Sequence, residues 1–194
     1  WARARFGWRP EPFAMVLDGM QWDIDRRPIR TEADLKRYCA CVAGAVGVLA
    51  NAVFGLEGHD ALAFALGEAL QRTNILRDLA EDAARGRIYI PEERRRGYQV
   101  PDEAFRTGAL TPKMRALLAD EAARAKRAFA DARALLACAD PEAARPVVAM
   151  GAIYRAQLAR LERIGFDVWR RRAPLLPIAK VWIAWRAWRG QRAF

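Results

Sequence analysis

Apolar residues recur at intervals of three and four along most of the chain, which is the period of helices that bury one face. No credible pair of alternating strands interrupts this pattern, so the chain is predicted to be all-α and to form one domain over residues 1–194. A capping box at Thr31–Asp34 opens one helix, and Pro146 is expected to kink another. Prolines, glycines and caps place the predicted helices at about 10–23, 31–54, 60–84, 112–138 and 140–164, with short helices from Pro91 and Pro101 and a last helix after Pro177.

The helix predicted at 60–84 carries polar residues where a buried face should be apolar. Gln71, Asn74, Asp78 and Asp82 follow one another at offsets of 3, 4 and 4, so their side chains fall on one stripe of the helix. Two carboxylates and two amides on such a face are costly unless they meet something polar. Mg²⁺ prefers hard oxygen ligands and leaves coordination sites for a diphosphate. The stripe therefore predicts a magnesium site with Asp78, Asp82 and Asn74 as metal ligands.

Arginines flank this polar stripe and offer two interpretations of it. Arg77 and Arg87 are near enough in sequence to give charge-assisted hydrogen bonds to phosphate oxygens. The alternative is a solvated helix face, on which Asp78 and Asp82 pair with neighbouring arginines at ordinary helical spacing. A bare pair of aspartates four residues apart favours that plainer interpretation.

Composition and charge narrow the class of protein. Hydrophobic residues make up 53% and charged residues 29%, as expected of a folded chain with a substantial core. The net charge of +10 makes nucleic acid, anionic lipid and phosphorylated small molecules candidate partners, but no nucleic-acid recognition motif is present. An odd count of three cysteines indicates reduced thiols and a cytoplasmic location. The most apolar run, Val42–Leu56, is shorter than the ~20 residues that a bilayer span needs.

Two segments resemble the signatures of the squalene/phytoene synthase family. Tyr38–Gly47 resembles the first signature, and the sequence departs from that signature at Ala50, where the family usually has Leu, Met, Ser or Cys. Leu17–Asp25 and residues 153–155 resemble further segments of the family. The segment 80–93 and the tryptophan-rich tail are most similar to the presqualene diphosphate synthases of bacterial hopanoid synthesis. The second signature is met by Gly67, Gln71, Asn74, Arg77, Asp78, Asp82, Arg87, Tyr89 and Pro91.

This resemblance implies an all-α isoprenoid synthase fold and a Mg²⁺-dependent prenyltransferase. Two farnesyl diphosphates would join head to head into presqualene diphosphate, with phytoene synthesis from geranylgeranyl diphosphate as the alternative. An alternative of another class is a non-catalytic assembly member of the family. By the same resemblance, Tyr38 and Tyr154 join Asp78 and Asp82 as catalytic residues. The substrate-binding set is Gln71, Asn74, Arg77, Arg87 and Tyr89, and the expected lining of a prenyl tunnel is Ala43, Val46, Leu49, Ala50 and Val53.

The family pattern also needs a first aspartate-rich motif on a facing helix. Asp18, Asp23 and Asp25 do not supply it, because their spacing is wrong. We expect this motif, with N-terminal helices of the fold, upstream of Trp1. The isolated chain is accordingly expected to be inactive.

The C-terminal segment 174–194 is predicted to be a basic helix rich in tryptophan. Trp182, Trp185 and Trp188 are three residues apart, and four basic residues accompany them: Lys180, Arg186, Arg189 and Arg192. Mixed tryptophan and arginine suits a membrane interface, so peripheral contact through 178–192 at the inner face of the plasma membrane is one expectation. The other is that the helix packs on the domain with tryptophan inside and arginine outside.

Overall fold

The structure is a computed structural model that describes residues 1–171 and 175–190, and within those ranges every regular element is helical. The all-α prediction is confirmed. In chain order the helices are α1 (Ala2–Phe6), α2 (Pro10–Ile24), α3 (Glu32–Cys39), a π-helical turn (Ala40–Gly44), α4 (Ala45–Phe54), α5 (Asp60–Ala84), α6 (Glu92–Gly97), α7 (Asp102–Thr107), α8 (Pro112–Leu136), α9 (Arg145–Arg163) and α10 (Pro177–Trp188).

Helix α5 is the centre of the fold. It packs most extensively against α8 and also contacts α3, the π-helical turn, α4, α7 and α9. Its apolar residues Leu62, Leu76 and Leu79 are buried in the same cluster as Leu117 and Phe129 of α8. The one face of α5 that this packing leaves accessible carries the polar stripe.

The capping box that opens α3 forms as predicted. The amide of Asp34 donates to Thr31 Oγ1 at 3.1 Å, and the amide of Thr31 donates to Asp34 Oδ2 at 2.8 Å. The helix then continues through the π-helical turn to Phe54. This continuous helix, Glu32–Phe54, has 23 residues, and its most apolar 18-residue window has a mean hydropathy of 1.5, so by length and composition alone it is long and apolar enough to cross a membrane. The run Val42–Leu56 overlaps only the second half of this helix, which packs against α2 and α5.

Glycines allow α5 to approach the π-helical turn closely. A Cβ on Gly67 would lie 2.6 Å from the backbone nitrogen of Gly44, and a Cβ on Gly44 would lie 2.4 Å from the Phe64 ring. Because the obstacle at Gly67 is backbone, no side-chain movement can relieve it. These glycines therefore serve helix packing.

The start of α9 differs from the prediction. Asp140 Oδ1 accepts hydrogen bonds from the amides of Glu142 at 3.0 Å and Ala143 at 2.8 Å, which closes a turn before the helix. Helix α9 begins at Arg145, and Pro146 lies in its first turn, where the missing N–H of proline leaves no helical hydrogen bond unmade. The kink predicted at Pro146 was wrong for this reason.

The C-terminal helix α10 packs on α9. Its tryptophans do not point inward: Trp182 is 55% exposed and Trp185 45% exposed, whereas Ala187 is buried. The expectation of a helix packed with tryptophan inside was therefore wrong. Arg192, Pro174 and the end of the predicted helix at 194 lie outside the described residues.

Candidate functional site

The four residues of the polar stripe share one small cavity. Gln71, Asn74, Asp78 and Asp82 line a space of about 160 Å³, which the side chains of Tyr38, Arg77 and Tyr89 also border. The central helix, the end of α3 and the loop after α5 thus bring all but two of the predicted site residues together. The two exceptions are Arg87 and Tyr154.

Asn74 presents an oxygen with no partner. Its Nδ2 donates to Gln71 Oε1 at 3.3 Å, whereas its Oδ1 is buried and accepts no hydrogen bond. A buried amide oxygen in this state is costly unless a ligand reaches it. It is one of the oxygen donors that a magnesium ion would take.

The two aspartates are in different electrostatic states. Both oxygens of Asp78 accept from Arg77, at 2.8 Å from Nε and 2.6 Å from Nη2. Among the described residues Asp82 has no ion pair within 4 Å. Burial raises the pKa of Asp82 to about 6, and the charges of Asp78 and Glu81 add to the shift. The solvated-face alternative thus describes Asp78 and Glu81, which pairs with Arg85 at 2.6 Å, but not Asp82.

These donors fit one wall of a magnesium site. Two carboxylates four residues apart on a helix and the free Asn74 Oδ1 are hard oxygen ligands, and Mg²⁺ completes its shell with water or phosphate oxygens. Within residues 1–171 and 175–190 no group of three or more His, Cys, Asp or Glu side chains is placed to hold a metal ion. The described residues therefore supply a partial donor set.

Asp23 lies at the centre of a hydrogen-bonded cluster that the sequence analysis missed. Tyr38 donates to Asp23 Oδ2 at 3.0 Å and Tyr89 donates to Oδ1 at 2.7 Å, while the two tyrosine rings stack with centroids 5.1 Å apart. Burial is the main reason that the pKa of each tyrosine is raised, so both hydroxyls stay protonated. The sequence feature that pointed to Asp23 was the resemblance of Leu17–Asp25 to a family segment. The distance along the chain from this segment to Tyr38 does not indicate that the two are in contact.

Arg87 lies behind Tyr89 and does not line the small cavity. Its Nη1 donates to the Tyr89 hydroxyl at 3.3 Å, its Nη2 donates to the Asp23 backbone oxygen at 3.3 Å, and Nη1 lies 3.7 Å from Asp23 Oδ1. In this structure Arg87 positions Tyr89 and Asp23. The substrate-binding role of Arg87 stays a prediction.

A second, apolar cavity of about 350 Å³ adjoins the stripe. Gln71 and Asn74 border both cavities, so the polar stripe lies at one end of the apolar space. Of the residues expected to line a tunnel, Ala43, Val46 and Ala50 do so, while Leu49 and Val53 do not. Leu49 lies on the other side of the helix, where its backbone oxygen accepts from Trp8 Nε1 at 3.0 Å. The rest of the lining comes from other residues of the π-helical turn and α4, from α5, and from Val147, Met150 and Tyr154 of α9.

Tyr154 connects the apolar cavity to the arginine of the stripe. Its side chain lines the apolar cavity and lies near enough to Arg77 to affect the pKa of that guanidinium. The pKa of Arg77 is raised, chiefly by its hydrogen bonds with Asp78 and further by Tyr154. Arg77 thus remains a full positive charge between the two cavities.

Known proteins are similar to this chain in sequence and in fold. The sequence profile described as "Squalene/phytoene synthase" matches residues 1–179. A phytoene synthase from Thermus thermophilus is 37% identical over 184 residues, which cover 94% of this chain and 62% of the relative. A solved dehydrosqualene synthase in complex with ligand has a TM-score of 0.82 at 25% identity, covering 92% of this chain and 64% of that one.

The structure of the squalene synthase HpnC from Alicyclobacillus acidocaldarius is also similar, with a TM-score of 0.79 at 29% identity over 84% of this chain and 63% of that one. The chain thus spans less than two thirds of the length of these relatives. The helical fold agrees with the isoprenoid synthase fold expected from the sequence. A profile match over residues 1–179 and 37% identity to a family relative establish that the chain belongs to the squalene/phytoene synthase family.

Proposed function

We propose that the protein containing this chain joins two prenyl diphosphates head to head with the help of Mg²⁺. The observation that carries the proposal is the junction of the two cavities at Gln71 and Asn74. One cavity is lined by carboxylates and arginine, as a metal-bound diphosphate requires, and the other is apolar, as a prenyl chain requires.

The metal would be held by Asp78, Asp82 and the free Oδ1 of Asn74. When bound, Mg²⁺ supplies Lewis-acid stabilisation of the departing diphosphate. Each Asp78 oxygen keeps a second lone pair beside its hydrogen bond to Arg77, so the carboxylate could bind the metal with this pair intact. The Arg77 guanidinium would then place positive charge next to the metal-bound diphosphate, and its remaining donors could reach phosphate oxygens.

The other residues of the chain position groups and exclude water. Asp23 holds the hydroxyls of Tyr38 and Tyr89 at the border of the polar cavity, where they can orient a phosphate or face developing positive charge. Ala43, Val46 and Ala50 keep the prenyl cavity apolar and leave it room. A carbocation formed at the junction would be shielded from solvent on this side.

The product is the finer part of the proposal. The Thermus thermophilus relative is a phytoene synthase, which supports geranylgeranyl diphosphate as substrate and phytoene as product. The presqualene diphosphate alternative rests on the segment 80–93 and the tryptophan-rich tail, and a solved squalene synthase is a structural relative. We favour phytoene synthesis because the phytoene synthase is 37% identical to this chain and the squalene synthase 29%.

Product analysis of the protein made from its full gene tests this proposal. Purified protein is incubated with farnesyl or geranylgeranyl diphosphate and Mg²⁺, and the products are identified by mass spectrometry. Phytoene from the longer substrate is expected, whereas presqualene diphosphate from the shorter one would support the alternative. No product from either would favour a non-catalytic family member.

Substitutions on α5 test the site itself. Asp78→Asn and Asp82→Asn should each lower kcat/KM by about a hundredfold or more, because each removes a metal ligand. Glu81→Gln is the matched control, since it removes one carboxylate from the same helix but from a surface pair with Arg85. Equal losses in all three variants would contradict the site. The isolated 194-residue chain is expected to bind Mg²⁺ and diphosphate without turnover, and steady product formation by it would contradict this expectation.

A further inference from the structure

The outer face of α10 exposes large apolar side chains. A typical surface helix turns such residues toward the core and shows polar residues to solvent. On α10 the order is reversed, because Ala179, Ile183, Ala184 and Ala187 are the partly or fully buried residues. The outer apolar face comprises Leu176 (70% exposed), Ile178 (84%), Val181 (70%), Trp182 (55%) and Trp185 (45%).

Positive charge surrounds this face and negative charge is missing from it. After Asp167 the sequence contains seven basic residues and no acidic one. Within the described part, Lys180, Arg186 and Arg189 of α10 are exposed. The guanidinium carbon of Arg189 lies 4.9 Å from the centroid of the Trp185 ring, so cation and indole present one combined surface.

A recess beside the end of α10 adds room for an anionic group. It has a volume of about 500 Å³ and is bordered by Pro141, Arg145, Trp188 and Arg189 among others. The guanidinium of Arg145 stacks 5.4 Å from the Trp188 ring and pairs with Glu142 at 3.0 Å. Two arginines from different helices thus converge on one recess next to the apolar face.

We propose that this outer face of α10 docks on an anionic lipid bilayer. The apolar residues of the face would enter the interface, and Lys180, Arg186 and Arg189 would contact headgroup phosphates. Tryptophan and arginine together suit the interfacial region of a bilayer, because each has an apolar body and a polar end. A protein partner would have to be strongly acidic over the whole face to match it.

The position of α10 gives the docking a consequence. Helix α10 packs on α9, and α9 also supplies Val147, Met150 and Tyr154 to the apolar cavity. The bilayer would therefore lie one helix layer away from the space proposed for a prenyl chain. The docking itself is independent of the proposed reaction, and vesicle flotation measures it without turnover.

Vesicle flotation of the protein made from its full gene tests the docking. We expect binding to vesicles that contain about 30 mol % phosphatidylglycerol and little binding to neutral phosphatidylcholine vesicles. Trp182→Ser/Trp185→Ser should lower the partition coefficient about tenfold. Arg186→Gln/Arg189→Gln should lower it by a similar factor at low salt and by less at high salt, since screening already weakens the wild type.

Exposed residues elsewhere provide matched controls. Leu17→Ser removes an apolar side chain that is 65% exposed on α2, and Arg3→Gln/Arg5→Gln removes two exposed arginines of α1. Both should leave partitioning within about twofold of the wild type. Equal binding to neutral vesicles, or equal losses in variants and controls, would overturn the proposal. So would a dimer in sedimentation that the tryptophan variant dissociates while lipid binding stays absent, because the face would then be a contact between copies.

Discussion

Replacing Asp82 with asparagine is expected to stabilise the metal-free protein. The pKa of Asp82 rises from 3.8 to about 6, mainly because of burial. A carboxyl whose pKa is raised by folding favours the folded state only below its unfolded pKa, and this advantage is lost as the pH rises through about 6. At pH 7.5 the ionised Asp82 therefore lowers the free energy of unfolding, and Asp82→Asn removes the cause.

The size of the effect follows from the shift. A shift of about two pKa units corresponds to about 3 kcal/mol at full strength. Because Asp82 is only partly buried, solvent screening reduces this, and we expect a gain of about 1 kcal/mol at neutral pH. The gain should shrink to about a third at pH 4.5, where the folded carboxyl is protonated but the unfolded one is still mostly ionised, and it should vanish well below the unfolded pKa of 3.8.

Urea unfolding followed by circular dichroism measures this difference at both pH values. Asp78→Asn is the control, because it removes the same charge from the same helix but breaks the bidentate pair with Arg77. It should give no gain. Magnesium with diphosphate should stabilise the wild type more than Asp82→Asn, since a ligand that binds only the folded state adds to stability. A loss of stability in Asp82→Asn at pH 7.5, or an equal gain at pH 4.5, would refute the reasoning.

Three further substitutions test other parts of the structure. Arg72→Leu should cost about 3–5 kcal/mol in urea unfolding, because Glu32 and Glu68 lose a partner and the buried Glu121 keeps only Arg94 as a close one, at 3.2 Å. Adding Glu121→Leu should recover part of the loss, and an unaffected single variant would contradict the network. Gly67→Ala should lower the free energy of unfolding by about 1–3 kcal/mol, because the new Cβ would lie 2.6 Å from the Gly44 backbone. The control Gly97→Ala has nothing within 4 Å and should be near neutral, and equal melting temperatures of the two variants would count against the close contact. Asp23→Asn should lower kcat of the full-gene protein about tenfold to a hundredfold, because it weakens the hold on Tyr38 and Tyr89. The control Asp25→Asn changes a surface pair with Arg27 and should leave kcat unchanged, and similar rates in both variants would show that Asp23 does not position the tyrosines.

The polar stripe could be predicted from sequence because its evidence is local. Offsets of 3 and 4 on one helix determine that Gln71, Asn74, Asp78 and Asp82 share a face, whatever surrounds that helix. The cluster around Asp23 could not be predicted in this way. It depends on where the end of α2 meets α3 and the loop after α5, and those contacts join residues 15 and 66 positions apart.

Two errors had other physical causes. The start of α9 was misplaced because Asp140 caps a turn as readily as it caps a helix, and only the amides it accepts from tell the two apart. The orientation of α10 was undetermined because apolar residues occur on all sides of the helix. The smaller alanines face α9 and the larger tryptophans face outward, an outcome that apolar periodicity does not encode.

Neighbouring parts of α5 show how a buried charge with a structural role differs from polar groups that could bind a ligand. Arg72 is 2% exposed and is fully paired: Nε lies 2.8 Å from Glu68 and Nη1 lies 3.2 Å from Glu121, and Nη2 pairs with Glu32. Two and ten residues further along the same helix, Asn74 Oδ1 and the Asp82 carboxylate have no such partner among the described residues. A fold that supplies three carboxylates to one buried arginine is capable of pairing the charges of its central helix. The unpartnered Asn74 oxygen and Asp82 carboxylate are therefore a cost retained at one face of α5, and a bound cation with its anionic substrate is what would offset it.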